Sequence, residues 1–166
     1  MTFIIVGGVA EFDFSRILRI TDQLCDEGVL DGKTTKAQIG HCSYQPKNYE
    51  SYRFVDGEKF HKDMEEANLI ITHGGVGTLV SALKLGKKVI VFPRLGIYNE
   101  HLDNHQLDIC KAFSEKRYCM MATNKEELKE CIKRANEFIP NSFVTDNSKM
   151  TEILMKYIGS LQEKQK

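Results

Sequence analysis

The chain alternates short, wholly apolar runs with longer segments in which apolar residues recur every three or four positions. The short runs are TFIIV (2–6), LIIT (69–72), KVIVF (88–92) and YCMMA (118–122), with KAQIG (36–40) and SYRFV (51–55) as weaker examples flanking a loop that contains Pro46. Runs this short, apolar on both faces and bounded by turn residues, predict buried strands. The periodic segments predict helices. SRILRITDQLCDEG (15–28) places Ile17, Leu18, Thr21, Leu24 and Cys25 on one side and stops at Gly28. EKFHKDMEEA (58–67), TLVSALKLG (78–86, ending at glycine) and DNHQLDICKAFSEK (103–116) follow, and NKEELKECIKRANEFI (124–139) opens with an Asn124 cap and Glu127 three residues on. The last segment, 147–166, sets Met150, Ile153, Leu154, Tyr157, Ile158 and Leu161 at helical spacing. It either folds back over its own sheet or docks a partner.

Strand and helix alternate about six times, which predicts an α/β domain: a parallel sheet sandwiched by helices, with ligands at the C-terminal ends of the strands. A length of 166 residues at 42% hydrophobic content fits a single domain with a real core. Lys plus Arg and Asp plus Glu each total 23, so no overall field favours nucleic acid or an anionic membrane surface. Cys25, Cys42, Cys110, Cys119 and Cys131 are odd in number, scattered and without a C-x-x-C, which argues against a disulfide framework or a zinc ribbon and for a reduced, cytosolic setting. The N-terminus has no basic region ahead of its short apolar run, and no apolar stretch approaches membrane-spanning length. If the protein works at a membrane, something else is expected to hold it there.

The stretch THGGVGT (72–78) stands where a buried strand gives way to a helix. Glycines there permit positive φ and close approach of the main chain to a ligand, while the helix that follows offers unpaired N–H groups and a partial positive charge. That combination suits a phosphate. His73 is placed to donate a hydrogen bond to the same anion, and the Thr78 hydroxyl to add another or to cap the helix. The plainer alternative is that Gly74, Gly75 and Gly77 make a tight turn and His73 is a satisfied structural histidine.

A second constellation, YNEHLDNHQ (98–106), follows the next strand and gathers Asn99, Glu100, His101, Asp103, Asn104, His105 and Gln106. Neighbouring loops of a parallel sheet lie side by side, so these groups are expected to share a crevice with the glycine turn. Amides, imidazoles and carboxylates match a polyhydroxylated ligand, whose hydroxyls both donate and accept. A phosphate pocket beside a hydroxyl-reading pocket points to a sugar nucleotide. Zinc is disfavoured, because His101 and His105 form H-x-x-x-H without H-E-x-x-H and no third ligand is fixed by spacing. A redox dinucleotide is disfavoured too, since VGGVAEF (6–12) lacks G-x-G-x-x-G and no strand ends in the acidic residue a ribose would want.

THGGVGTLVSALKLGKKVIVFPR followed by NEHLDNHQ resembles the C-terminal, donor-binding domain of glycosyltransferase family 28. The likeness is nearest to small bacterial capsule and exopolysaccharide glycosyltransferase subunits, which are themselves similar to the donor-binding subunit of the dolichol-pathway N-acetylglucosaminyltransferase. IIVGGVAEFD and QIGHCSYQPKN also fit, so it covers most of 3–121. The resemblance implies a Rossmann-like parallel sheet of about six strands with helices on both faces, equivalent to one half of the two-domain nucleotide-sugar glycosyltransferase (GT-B) fold. It puts His73, Gly74, Gly75, Val76, Gly77 and Thr78 around the donor diphosphate, and His105 and Gln106 on the transferred sugar with Glu100, Asp103 and Asn104 as neighbours. Gly7 and Gly8 take the acceptor-side turn, and QIG and YQP the nucleotide-base region. Many relatives carry a ribose-gripping glutamate where this chain has Ser81.

The implied activity is transfer of a hexose from a nucleoside-diphosphate sugar, with uridine the expected base, to a lipid-linked saccharide in surface polysaccharide synthesis. No resident cofactor or metal is expected. A helix N-terminus with backbone amides, aided by His73, stabilises the departing diphosphate. In two-domain relatives the base for the acceptor hydroxyl comes from the other domain, so a membrane-anchored second subunit is expected to supply the acceptor site at the inner face of the membrane. Glu11 and Asp13 are candidate bases near the first turn, against a plainer reading as loop or cap residues. Two other classes stay open: a non-catalytic nucleotide-sugar-binding subunit, and a sugar-nucleotide epimerase-like enzyme.

Overall fold

The computed structural model describes residues 1–8, 10–102 and 104–143; Asp103 and the segment 147–166, which the spacing reads as a helix, lie outside the described residues. Among the described residues six strands form one parallel sheet: β1 (Thr2–Ile5), β2 (Thr35–Gln38), β3 (Glu50–Tyr52), β4 (Leu69–Thr72), β5 (Lys88–Val91) and β6 (Met120–Met121), in the order β3-β2-β1-β4-β5-β6. Every pairing is parallel, and Ile5 stands opposite Thr72, which stands opposite Val91, so the C-terminal ends of β1, β4 and β5 are flush. The strand order reverses between β1 and β4. At such a switch point the two following loops leave toward opposite faces and open a crevice between them.

The helices are α1 (Ser15–Asp26), α2 (Gly57–Glu66), α3 (Val76–Lys84), α4 (His105–Glu115) and α5 (Lys125–Arg134). Alternate residues of β1 feed the two faces. Ile4 packs with Ile17, Leu18 and Leu24 of α1 and Leu128 of α5, whereas Phe3 and Ile5 pack with Met64 of α2, Leu79 and Leu83 of α3, and Cys110 and Phe113 of α4. Strands buried on both faces explain why β1, β4 and β5 read as unbroken apolar runs rather than alternating ones.

Helix stops were readable. Gly28 and Gly86 take the left-handed conformation (φ +70° and +67°), and the amides beyond them turn back to the last carbonyls. Other boundaries moved for local reasons. Gly40 at φ +52° bends the chain after β2, ending that strand at Gln38. Helix α5 stops at Arg134 rather than 139, and Lys88 Nζ gathers the Ala135 and Asn136 carbonyls at 2.9 and 2.7 Å. Asn124 caps α5 by accepting from the Glu127 amide at 2.9 Å, while Glu127 reaches back one residue further than expected, to the Thr123 amide at 2.7 Å.

Candidate functional site

Helix α3 begins at Val76, two residues earlier than its periodicity predicts, with Gly75 as N-cap and no side-chain cap. Its first helical bond runs from the Leu79 amide to the Gly75 carbonyl at 3.1 Å. The amides of Val76, Gly77 and Thr78 therefore start the helix without an intrahelical partner and face the end of β4. Thr78 sits inside the first turn rather than at the cap, so the capping role read for it falls to the Gly75 position.

Gly74 and Gly75 are present for space, and none of the three glycines has the positive φ that the turn was expected to need. Gly75 has φ −71°, and Gly74, Gly75 and Gly77 are all absent from the positive-φ glycines. A Cβ on Gly75 would lie 2.3 Å from His73 Nε2. One on Gly74 would press on Cys110 Sγ, Gln106 Cβ and the Gln106 carbonyl, each at 2.9 Å, so Gly74 lets α4 dock rather than approaching a ligand itself. A Cβ on Gly77 would meet nothing within 4 Å, and the residue is exposed. Gly7, in the first turn, does have positive φ (+81°), and a Cβ there would lie 2.7 Å from His73 Cε1 and Nε2. The exposed Gly8 continues that turn, facing Phe54. The first turn, expected on the acceptor side, and the glycine turn thus meet across one imidazole.

His73 is 8% exposed, and burial, with Arg94 and His101 nearby, holds its pKa down at about 4. The ring is neutral at neutral pH. Its Nδ1 lies 3.3 Å from Thr72 Oγ1, which donates to the Ile5 carbonyl at 3.0 Å.

The segment after β5 is more self-contained than its polar composition implies. Glu100, read as a neighbour of the sugar, is 2% exposed. Its carboxylate takes two bonds from Arg16 of α1 (2.7 and 2.8 Å) and one from the Leu95 amide (3.0 Å). Glu100 is therefore committed inside the fold, and its expected place beside a sugar gives way to a structural one. Gln106 is also buried, with Oε1 accepting from the Arg94 amide at 3.2 Å. Asn104 accepts from the Gly96 amide at 3.0 Å. His105 stays half-buried at the start of α4, its ring 4.3 Å from that of His101, which stacks on Phe12. Contact between Gly74 and Gln106 places this segment directly against the glycine turn, as the strand order requires.

Arg94 and Arg16 carry much of this arrangement, and the sequence reading passed over both. Arg94 is 1% exposed; it donates to the Phe12 carbonyl at 2.9 Å, the Val6 carbonyl at 2.8 Å and the Glu100 carbonyl at 3.3 Å, with its guanidinium over the Phe14 ring. Arg16 lies between the rings of Phe92 and Tyr98 and also bonds the Pro93 and Thr123 carbonyls. The available signal was a cation adjoining Pro93 at the end of an apolar strand. A charge in that position needs partners.

Glu11 and Asp13 line the same open groove but differ in their bonding. Asp13 accepts from the Ser15 amide at 2.9 Å and the Ser43 amide at 3.3 Å and from both serine hydroxyls. Burial works to raise its pKa, but those bonds outweigh it and hold the carboxyl below its usual range. Asp13 thus ties the start of α1 to the β2–β3 loop. Glu11 remains exposed beside an open groove of about 630 Å³ that Arg19 and Tyr98 also line. The QIG and YQP segments pack on this side, with β1 between them and β4; Gly40 rests against the Gly7 carbonyl, and Gln45 bonds Ser51.

These features define the class: a Rossmann-like parallel α/β domain with an anion-ready helix start at its switch point. The chain belongs to the glycosyltransferase family 28 C-terminal domain family, whose model matches residues 4–157. It is 31% identical over 107 residues to the UDP-N-acetylglucosamine transferase subunit ALG13 of Candida albicans, covering 64% of this chain and 31% of that protein. The Homo sapiens protein of the same name is 27% identical over 129 residues, covering 73% of this chain and 11% of its own length. The chain therefore spans about a third or less of these relatives. In fold it is similar to the solution structure of ALG13 (TM-score 0.63, 18% identity, 92% of this chain and 94% of that one). It is also similar to the forosaminyltransferase SpnP (TM-score 0.56, 16% identity, 82% and 35%). Among the described residues no helix is long and apolar enough to cross a membrane.

Proposed function

We propose that this chain is the donor-binding subunit of a glycosyltransferase that moves a sugar from a UDP-sugar to a lipid-linked saccharide, working with a second subunit. One observation carries the reading: the uncapped start of α3 meets His73 and the Gly7 turn at the sheet's switch point. In this reading the amides of Val76, Gly77 and Thr78 hold the diphosphate, Gly75 brings the main chain close, and His73 adds a side-chain contact. Gly74 acts by letting α4 dock. Oriented amides in such a place stabilise the charge that develops on the departing diphosphate without reorganising. His105, with Asn104 and Gln106 behind it, reads the sugar's hydroxyls, and Asp103 belongs to the same segment.

The relatives' name supports N-acetylglucosamine as the first sugar to test and supports dependence on a partner. The sequence resemblance supports a finer form: hexosyl transfer in surface polysaccharide assembly, with a membrane-anchored partner supplying the acceptor site and recruiting this chain to the inner face of the membrane. Asp13 is held by Ser15 and Ser43, which supports a base contributed from outside this domain, with exposed Glu11 the alternative within it.

Calorimetry of the chain against a panel of nucleotide sugars, paired with a transfer assay with and without the co-expressed partner, tests this. Binding of a UDP-sugar, with turnover only when the partner is present, is the expected result. Failure to bind any nucleotide sugar in either setting overturns it.

A further inference from the structure

The hydrogen bonds around His73 point to one ring nitrogen as the site of its proton. The Thr72 hydroxyl has a single hydrogen, and its shorter contact is to the Ile5 carbonyl at 3.0 Å; with the hydrogen given there, the hydroxyl accepts from His73 Nδ1, 3.3 Å away. Nδ1 therefore carries the ring proton, and Nε2 of the neutral ring carries a lone pair. That nitrogen is the one lodged between the two turns, 2.7 Å from a Cβ built on Gly7 and 2.3 Å from one built on Gly75, the N-cap of α3. It has no hydrogen-bond partner among the described residues, in a side chain more than nine-tenths buried.

A lone pair in that position opposes an anionic oxygen brought to the start of α3, whereas an N–H⁺ there forms a charge-assisted bond with it. We propose that donor binding places a proton on His73 Nε2, so that the imidazolium is the side-chain donor to the diphosphate as it departs. This rests on the reading above that the start of α3 holds the diphosphate. The proton enters from solvent with the nucleotide sugar. As the acceptor oxygen bonds the anomeric carbon, the bond from that carbon to the β-phosphate oxygen breaks and its electron pair stays on the phosphate oxygen, which the imidazolium hydrogen-bonds. The acceptor hydroxyl loses its proton to a separate base on the acceptor side. Release of the nucleotide returns the His73 proton to solvent.

The surroundings make the uptake conditional on the ligand. Burial, then Arg94 from the segment after β5, and more weakly His101 from the segment before α4 oppose a charge on the ring, and they outweigh the bond with the Ile5 carbonyl that favours one, leaving the ring neutral in the free protein. Among the described residues it meets the Ile5 carbonyl of β1, the Thr72 hydroxyl of β4, and Gly7 and Gly75 in the turns beside it. No carboxylate among the described residues acts on the ring, and the incoming diphosphate supplies the negative charge that stabilises the proton.

Calorimetry with UDP-N-acetylglucosamine, whose diphosphate diester does not titrate near neutrality, tests this when run at about pH 6 in buffers of differing ionisation enthalpy. The expected result is net uptake approaching one proton, with affinity strengthening by up to about tenfold per pH unit as pH falls. His73→Gln, which offers a neutral amide donor, should bind more weakly, without uptake and with a flat pH profile. Imidazole ¹⁵N NMR of the unmodified protein should show Nε2 protonated only in the complex, which decides the matter even if the variant does not fold. Binding without proton uptake, or uptake that persists in His73→Gln, overturns the proposal. No binding at any pH overturns the site reading and this inference together.

Discussion

The turn after β4 and the segment after β5 lie side by side yet use their polar groups in opposite ways. The first is poor in side chains, and its three leading amides have no intrahelical partner and His73 Nε2 no hydrogen-bond partner among the described residues. The second is crowded with polar side chains, and most of the described ones are already bonded internally: Glu100 to Arg16, Gln106 to Arg94, Asn104 to Gly96. The density of polar residues in a sequence therefore measures how much must be satisfied, and not how much is offered to a ligand. A group can bind only what the fold has left it free to bind.

Four perturbations test this contrast. The largest effect belongs to the closed side. Arg94→Met strands the Val6, Phe12 and Glu100 carbonyls, and is expected to cost about 3 to 5 kcal/mol in denaturant unfolding, by the usual penalty for breaking a buried charged network. A loss below about 1 kcal/mol would mean the network is not sealed as described. Next comes acid. His73 titrates at about 4 folded against about 6.5 unfolded, so the unfolded chain takes up the proton first as pH falls. Its contribution to stability is intact above about pH 6.5 and erodes by about 3 kcal/mol down to about pH 4. His73→Gln should flatten that part of the unfolding profile; an unchanged profile counts against a buried neutral ring. Glu100→Gln, which leaves Arg16 without its carboxylate, should cost about 1 to 3 kcal/mol while nucleotide-sugar affinity of the folded fraction changes little. A selective loss of affinity would return Glu100 to the sugar. The smallest change in stability is expected on the open side. Gly77→Ala adds a Cβ with nothing within 4 Å in a helix's first turn, so stability should hold or rise by up to about 1 kcal/mol. Affinity should fall about tenfold because the methyl occupies the approach to the amides. Unchanged affinity would place the ligand elsewhere.

The same contrast explains what could be read beforehand. The central strands were legible because burial on both faces makes them apolar throughout, and Gly28 and Gly86 were legible as stops because a left-handed residue leaves a chemical trace. The edge strands were less so: β3 is held partly by polar Glu50 and Ser51, and β6 shrinks to Met120–Met121. The glycine turn was located correctly, but its reason was not. Sequence alone does not distinguish a glycine that needs positive φ from one that makes room for a neighbour, and here the neighbours, His73 and Gln106, become visible only once the strands are aligned. Arg94 was passed over for the same cause, since its partners lie on the far side of the switch point, at residues 6 and 12.

Arg94 grips the Val6 and Phe12 carbonyls at the two ends of the first turn, and the Glu100 carbonyl across from it. Like a hasp, it fastens one lip of the crevice to the other. Neither lip can swing on its own: slow hydrogen exchange on one side should be lost together with that on the other, and damage at either lip should register at both.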